Sequence, residues 1–392
     1  MAARTTAPAS CPHAPCCAPC PLRGLAYREQ LALKRRRVVS ALARYPSLAG
    51  AAVEDVVGSR DLFGYRNVVK LAVRGRADGS LRAGVYAPGS HRLVDAERCA
   101  AQHPALGEVV AAALEAAAGL GIEPYDERSG TGELRYVVAR YGARRRRVQL
   151  VLVTASADTT RLRDLTRRLA RRCRALGGVL HNHNPERGNV ILGRRWATLR
   201  PPAELVERLG GLELRVSPAS FLQPNLWTAR RIYESALELA APTAADSVID
   251  LFCGIGPLSL YLAGRARQVT GIEEAPSAVR DARANQRLNR LFNVRFEAGR
   301  VEEVLPALRA RRARVDLVTL NPTRNGASAR VLAEIAALGP RRVVYVSCNP
   351  DTLARDLDGL ARSGYRTCLA RPFDMLPQTE HVEVVALLEP LG

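Results

Sequence analysis

The chain has 392 residues, with 58 Lys+Arg against 38 Asp+Glu, a formal charge of +20 and 47% hydrophobic residues. That length holds two or three domains and that apolar content supplies their cores, which excludes a disordered tail and a disulfide-stapled mini-protein. The cationic surplus points to a polyanionic partner, nucleic acid ahead of an anionic membrane surface. Nearly all of it is arginine, since Lys34 and Lys70 are the only lysines. Codon bias accounts for arginine over lysine but not for basic over acidic residues. No run of about 18 uncharged apolar residues exists, so no transmembrane helix is expected. Residues 1–10 carry no apolar h-region and do not read as a secretory signal. A cytoplasmic protein is expected, where disulfides are disfavoured, and its nine cysteines need another role.

Residues 1–21 are rich in Cys, Pro and Ala, and no internal repeat follows. A mixed apolar stripe predicts a basic helix over 22–45, one able to pack on the second domain. Residues 53–100 read as β-rich, with a hairpin around Asp78-Gly79. An Ala/Leu helix over 104–120 precedes a strand pair, 133–140 and 147–154, whose loop carries Arg144, Arg145, Arg146 and Arg147. A helix over 160–175 and strands over 179–183 and 189–192 complete an α+β first domain, residues 1–215, with antiparallel strands. From about Pro242, apolar runs at 247–252, 268–273, 293–297, 315–321 and 342–348 alternate with helical patterns, before a terminal strand pair. That alternation predicts a Rossmann-like α/β domain, residues 216–392, with a doubly wound, mostly parallel sheet.

In that second domain a strand runs into Phe252, Cys253, Gly254, Ile255, Gly256 and Pro257. The glycines let the backbone turn tightly and approach a ligand, and Pro257 suits the first position of a helix. Glu273 ends the next strand, near the spacing at which an acid binds ribose hydroxyls. Gly-x-Gly alone is also an ordinary strand–helix turn. Here the strand, helix and acid stand in order, while a third glycine and a P-loop lysine are lacking. This favours an adenosyl ligand without phosphates, S-adenosylmethionine.

Cys348 ends a predicted strand, at the sheet edge where open α/β folds bind ligands. Asn321-Pro322-Thr323-Arg324 ends the preceding strand, and a segment with Glu380, His381 and Glu383 leads into the last one. A thiol, a polar loop and a carboxylate thus converge near the adenosyl site. With its Ser-Cys-Asn-Pro motif at 347–350, its Asn-Pro-x-Arg-x-Gly loop at 321–326 and its Pro-x-Thr-x-His-x-Glu segment at 377–383, the chain resembles the RNA uracil-C5 methyltransferases over nearly its whole length. The segment 217–225 resembles the one that supplies a glutamine, here Gln223, to the family's active site.

The resemblance implies S-adenosylmethionine-dependent formation of 5-methyluridine in RNA. Uracil C5 is a poor nucleophile; a thiolate adding to C6 makes an enolate whose C5 can attack a methyl sulfonium. Cys348 is then the nucleophile, expected as thiolate in a basic setting. Glu383, matching the motif's last position, is the base that removes the C5 proton, with His381 beside it and Glu380 as the rival carboxylate. Gln223 and Asn321 are implied to hold the uracil or the donor, and Phe252, Glu273 and Arg300 to line the donor pocket. The target base must leave its stack.

Cys11, Cys17 and Cys20 are spaced C-x5-C-x2-C, with Cys99 downstream. Spacing alone fits zinc as well as an iron–sulfur cluster. The resemblance implies a [4Fe–4S] cluster on these four, as in the 23S rRNA branch, with Ser90-His91 before Cys99. Phosphate-binding candidates are Lys34, Arg35, Arg36, Arg37, Arg66, Lys70, Arg92 and the arginines at 144–147. The chain begins ten residues before the first of these cysteines, so no TRAM domain is expected, and the protein is expected to be a monomer. Thr323, Arg300 and Leu376 depart from the family pattern. The alternatives are a tRNA 5-methyluridine methyltransferase, against which the cysteines argue, and a catalytically silent RNA-binding or ribosome assembly factor, against which Cys348 and Glu383 argue.

Overall fold

The computed structural model describes residue 11 and residues 20–87, 89–311 and 314–391. The chain opens with α1 (Tyr27–Leu42) and the short β1 (Ala52–Val53). It continues through β2 (Val68–Gly75), β3 (Leu81–Tyr86), β4 (Leu93–Asp95), α2 (Pro104–Ala118), β5 (Leu134–Gly142), β6 (Arg147–Thr154), α3 (Thr160–Arg172), β7 (Leu176–His183) and β8 (Arg195–Arg200). A hairpin of β9 (Leu205–Leu209) and β10 (Leu212–Val216) precedes α4 (Leu226–Ala240). Strand and helix then alternate: β11 (Ser247–Leu251), α5 (Pro257–Ala263), β12 (Gln268–Glu273), α6 (Pro276–Leu288), β13 (Val294–Ala298), α7 (Val301–Ala310), β14 (Leu317–Leu320), α8 (Ala329–Leu338), β15 (Arg342–Ser347) and α9 (Pro350–Arg362). The antiparallel pair β16 (Tyr365–Phe373) and β17 (Glu383–Pro390) ends the chain. Among the described residues no helix is long and apolar enough to cross a membrane.

The first sheet has the order β4-β3-β2-β5-β6-β7-β8. Its pairs are antiparallel except β6 with β7, which run parallel around the α3 crossover, against the all-antiparallel expectation. Helices α2 and α3 cover one face through Leu106, Val109, Leu162 and Leu165. The other face carries only a small cluster that includes Tyr136 and Val151. The strand expected over 189–192 lies instead at Arg195–Arg200. Asn184 Nδ2 donates to the carbonyls of Val190 and Ile191 (2.6 and 3.1 Å), and Asn182 both donates to and accepts from Gly193. These side chains take the backbone groups a ladder needs.

The second sheet has the order β1-β16-β17-β15-β14-β11-β12-β13. Strands β11 to β15 pair in parallel, and β17 runs antiparallel between β15 and β16. Helices α4, α5 and α6 cover one face, and α1, α7, α8 and α9 the other. Burial on both sides explains why these strands read as unbroken apolar runs; β14 is buried throughout. Neither α4 nor the β9–β10 hairpin is among the expected elements, although both carry local signals: an apolar stripe at Ala229, Ile232, Tyr233 and Ala236 behind the Asn225 cap, and Gly210-Gly211 between alternating apolar residues. The hairpin is fixed from outside, since Asn285 and Asn289 on α6 accept from the backbone of Arg215 and Glu213 (2.6 and 2.9 Å).

Helix α1 departs most from expectation. Lys34, a phosphate contact on sequence grounds, is 1% exposed, and its Nζ lies 2.5 Å from Asp374 Oδ1 and 3.1 Å from the Leu376 carbonyl. Tyr27 donates its hydroxyl to the other Asp374 oxygen (2.9 Å). Gln30 and Gln378 bond reciprocally at 3.0 and 3.1 Å. A buried pair broken on one side leaves an uncompensated charge. In equilibrium denaturant melts, Lys34→Met is expected to lose about 3–5 kcal/mol, and the double variant K34M/D374L to recover most of it. A loss below about 1 kcal/mol for K34M, the range of an exposed pair, would contradict this account.

Candidate active site at the carboxyl edge of the second sheet

Strand β11 ends in a turn that only certain residues can make. Phe252, Gly254 and Gly256 have φ of 58°, 57° and 83°, the left-handed region that glycine enters freely. At Gly256 an added Cβ would also sit 2.6 Å from the Phe296 ring. Pro257 then starts α5. Glu273, at the end of β12, holds the turn from the side: its two oxygens accept from the backbone of Gly254 (3.0 Å) and Ala275 (2.9 Å). Beneath the turn, Asp250 accepts from Ser259 (2.5 Å) and Thr319 (2.7 Å), and burial pushes its carboxyl up to about 6. Asp250 was legible only as an acid inside an apolar strand. The turn and carboxylate fit an adenosyl group with a free ribose.

On the same edge, β15 and β17 pair with Ser347 opposite Val384. Cys348 and Glu383, one step beyond, therefore stand side by side. Burial first, then the Glu383 charge, raises the Cys348 thiol, against the pull of Arg324 and a backbone N–H. The expectation of a thiolate in a basic setting is thus corrected for the free protein, because dehydration and a neighbouring carboxylate outweigh one cation. Burial pushes Glu383 up to about 7, with Arg324 opposing. Glu380, the rival, is exposed. His381 is pushed down to about 4 by burial, then by Arg324, Arg37, Lys34 and Arg66. It is neutral at physiological pH, with Arg324 Nη2 3.4 Å from both ring nitrogens.

The loops around this pair are tied together. Asn349 caps α9 by accepting from Asp351 N (3.1 Å) and donates Nδ2 to the Arg324 carbonyl (3.1 Å), which Thr352 also reaches (3.0 Å). Asp356 accepts from Tyr345 (2.6 Å) and Ala327 N (2.7 Å). A Cβ on Gly326, φ 77°, would fall 2.3 Å from that carboxylate, which accounts for the glycine in the 321–326 motif. Asn321 is half-buried at the end of β14, its N–H on the Leu251 carbonyl (3.2 Å). Gln223 lies against Tyr233 of α4, whose hydroxyl is raised by burial and then by the Glu383 and Asp250 charges. Tyr233 belongs to the apolar stripe of α4, whose sequence signal is packing alone. Arg300 is exposed and faces Glu302 on its own helix at 3.9 Å.

Cys11, Cys20 and Cys99 line one cavity of about 380 Å³, together with Tyr65, Gln378 and His381. Cys17 lies outside the described residues. Among the described residues no three His, Cys, Asp or Glu side chains are grouped closely enough to hold a metal ion.

Glu383 sets a pH dependence of stability. Its carboxyl moves from 4.5 up to about 7 on folding. The native state is therefore favoured while the group is protonated, and that advantage is lost as pH rises through the folded value. Glu383→Gln, always neutral, is expected to raise the Tm at about pH 8 and to change it little at about pH 5. Equal shifts at both would contradict a buried carboxylate.

The chain is similar to known RNA methyltransferases. The tRNA (uracil-5-)-methyltransferase family profile covers residues 210–390. An uncharacterized RNA methyltransferase of Geobacter sulfurreducens is 43% identical over 379 residues, 97% of this chain and 76% of that one. One from Halalkalibacterium halodurans is 38% identical over 97% of this chain and 83% of its own. The crystal structure of Pyrococcus abyssi tRNA (uracil-54, C5)-methyltransferase with S-adenosyl-L-homocysteine aligns over 95% of this chain and 84% of that one, with a TM-score of 0.78 and 27% identity. The chain belongs to the RNA m5U methyltransferase family.

Proposed function

We propose that this protein methylates C5 of a uridine in 23S rRNA, with S-adenosylmethionine as methyl donor. The observation that carries the reading is the placement of Cys348 beside Glu383 on neighbouring strand ends, both under the charge of Arg324. Bound donor supplies the methyl group as an electrophilic sulfonium. Phe252, Gly254, Gly256 and Pro257 shape the turn that lets the backbone approach it, and Glu273 offers a carboxylate to the ribose. Gln223 and Asn321 hold the uracil or the donor, and Arg300 stays at the rim.

Cys348 gives its proton to solvent, and Arg324 steadies the thiolate. Its sulfur bonds to C6, and the displaced electron pair makes C5 nucleophilic. C5 takes the methyl group as the donor's methyl–sulfur bond breaks and its pair stays on the departing thioether; Glu383 then removes the C5 proton, the C5–C6 double bond re-forms, and the C6–S bond breaks with its pair returning to sulfur. A carboxyl near 7 suits a base at neutral pH.

The cysteines favour the rRNA reading over the tRNA one. Cys11, Cys20 and Cys99 line a shared cavity without being grouped as metal ligands there; with Cys17 they would supply the four thiolates of a [4Fe–4S] cluster by closing around it. A cluster would cross-link the chain start to the turn after β4, in a cavity that Gln378 and His381 also line. The tRNA reading draws on the solved relative, a tRNA enzyme.

Mapping 5-methyluridine in rRNA and tRNA from cells with and without the gene tests this. Loss from 23S rRNA, restored by the wild type and not by Cys348→Ala, is expected. Loss from tRNA alone would move the protein to the alternative, and no loss would overturn both. Protein purified without oxygen should be brown, absorbing near about 400 nm; colourless protein with stoichiometric zinc would contradict the cluster.

A further inference from the structure

The first sheet contains a charge conflict that catalysis does not use. In the β2–β3 ladder, Arg74 stands directly opposite Arg82. Like charges in that position repel, and a fold keeps them only if something answers the charge. Arg74 is answered: Glu127 lies 3.3 Å away, and the guanidinium stacks on Tyr86, 5.5 Å from the ring centroid. Arg82 is not answered. Its Nε is buried with no hydrogen-bond partner among the described residues, and an unmade bond of that kind costs more than a made one gains.

Both arginines open onto a basin of about 720 Å³, whose rim carries His91, Arg92 and Arg128. The basin holds two carboxylates, and neither pairs with Arg82. Glu127 is shared between Arg74 and His91 (3.4 Å), and Asp126 accepts from the backbone of Arg128 (2.7 Å). Arg82, Arg92 and Arg128 have no ion pair among the described residues. The basin lies on the sheet face that α2 and α3 leave uncovered. Lys70 shares that strand face with Arg74, two pleats along β2.

We propose that this basin binds a phosphodiester group of the substrate RNA, seated between Arg82 and the rim arginines, at a site separate from the one holding the reacting base. Arginine's planar fork matches phosphate oxygens. An anion there would answer the Arg82 guanidinium and screen Arg74 from Arg82 at once. The proposal rests on the protein acting on RNA and on neither the 23S nor the tRNA choice.

The test uses the full chain and a fluorescently labelled, uridine-containing RNA stem-loop, with binding followed by anisotropy across salt concentrations. The variant R82Q/R128Q is compared with R163Q/R171Q, two exposed arginines on α3. Loss of this phosphate contact should flatten the slope of log affinity against log salt by about 0.7–0.9 and weaken binding roughly 5- to 8-fold at about 0.1 M salt. The α3 variant should bind as the wild type does. Arg82→Gln alone should hold or raise the Tm, since it removes a repulsion, so lost binding is not lost folding. Retained binding in R82Q/R128Q, or an equal loss in the α3 variant, would overturn the basin alone. A wild type that binds no RNA would overturn the functional reading with it.

Discussion

A single buried cation organises the catalytic edge. Lys34 reaches Asp374 across 340 residues of chain, with both side chains closed off from bulk solvent. Its partner begins the segment that ends in Glu383, and the rest of that segment is gripped in turn. Tyr65 donates to the Pro377 carbonyl (3.0 Å), Asn225 to that of Met375 (3.2 Å), Arg37 to that of Glu380 (2.9 Å), and Leu22 N to that of Gln378 (3.1 Å). Each bond is modest alone. Together they fix where the last strand starts, and hence which carboxylate meets Cys348. The cysteine-lined cavity touches the same segment through Gln378 and His381, so the chain start and the reacting groups share one support.

The site favours neutral forms. Burial raises Cys348 and Glu383 and lowers His381, and only Arg324 acts on all three. At neutral pH the free protein therefore keeps the Cys348 thiol protonated and Glu383 near its midpoint. This state limits stray reactions of an exposed thiolate, while Arg324 stands ready to favour the anion. A dry site also strengthens each charge–charge contact once the substrate closes it.

Local signals carried much of this. Strands buried on both faces are written as apolar runs, so the second sheet could be placed strand by strand, and the glycine turn and the 321–326 motif have steric reasons visible in Gly256 and Gly326. What escaped depends on partners far off in the chain. Lys34 looks like any surface lysine until Asp374 is placed beside it. The β9–β10 hairpin gets its backbone partners from Asn285 and Asn289, and β8 was displaced by two asparagines whose bonds no periodicity reveals. Tyr233 and Asp250 act near the site from elements whose sequence signals packing alone. The opposition of Arg74 and Arg82 depends on strand register, which the hairpin signal at Asp78-Gly79 located only approximately.

The central claim is that Cys348 and Glu383 work as a pair on one uracil ring. Incubating Glu383→Gln with S-adenosylmethionine and 23S rRNA, then denaturing in detergent, tests it most directly. With no base to remove the C5 proton, elimination stalls and the thioether persists. A protein–RNA adduct is predicted for E383Q and none for Cys348→Ala or C348A/E383Q. An adduct that survives loss of Cys348, or E383Q turning over like the wild type, would contradict the account.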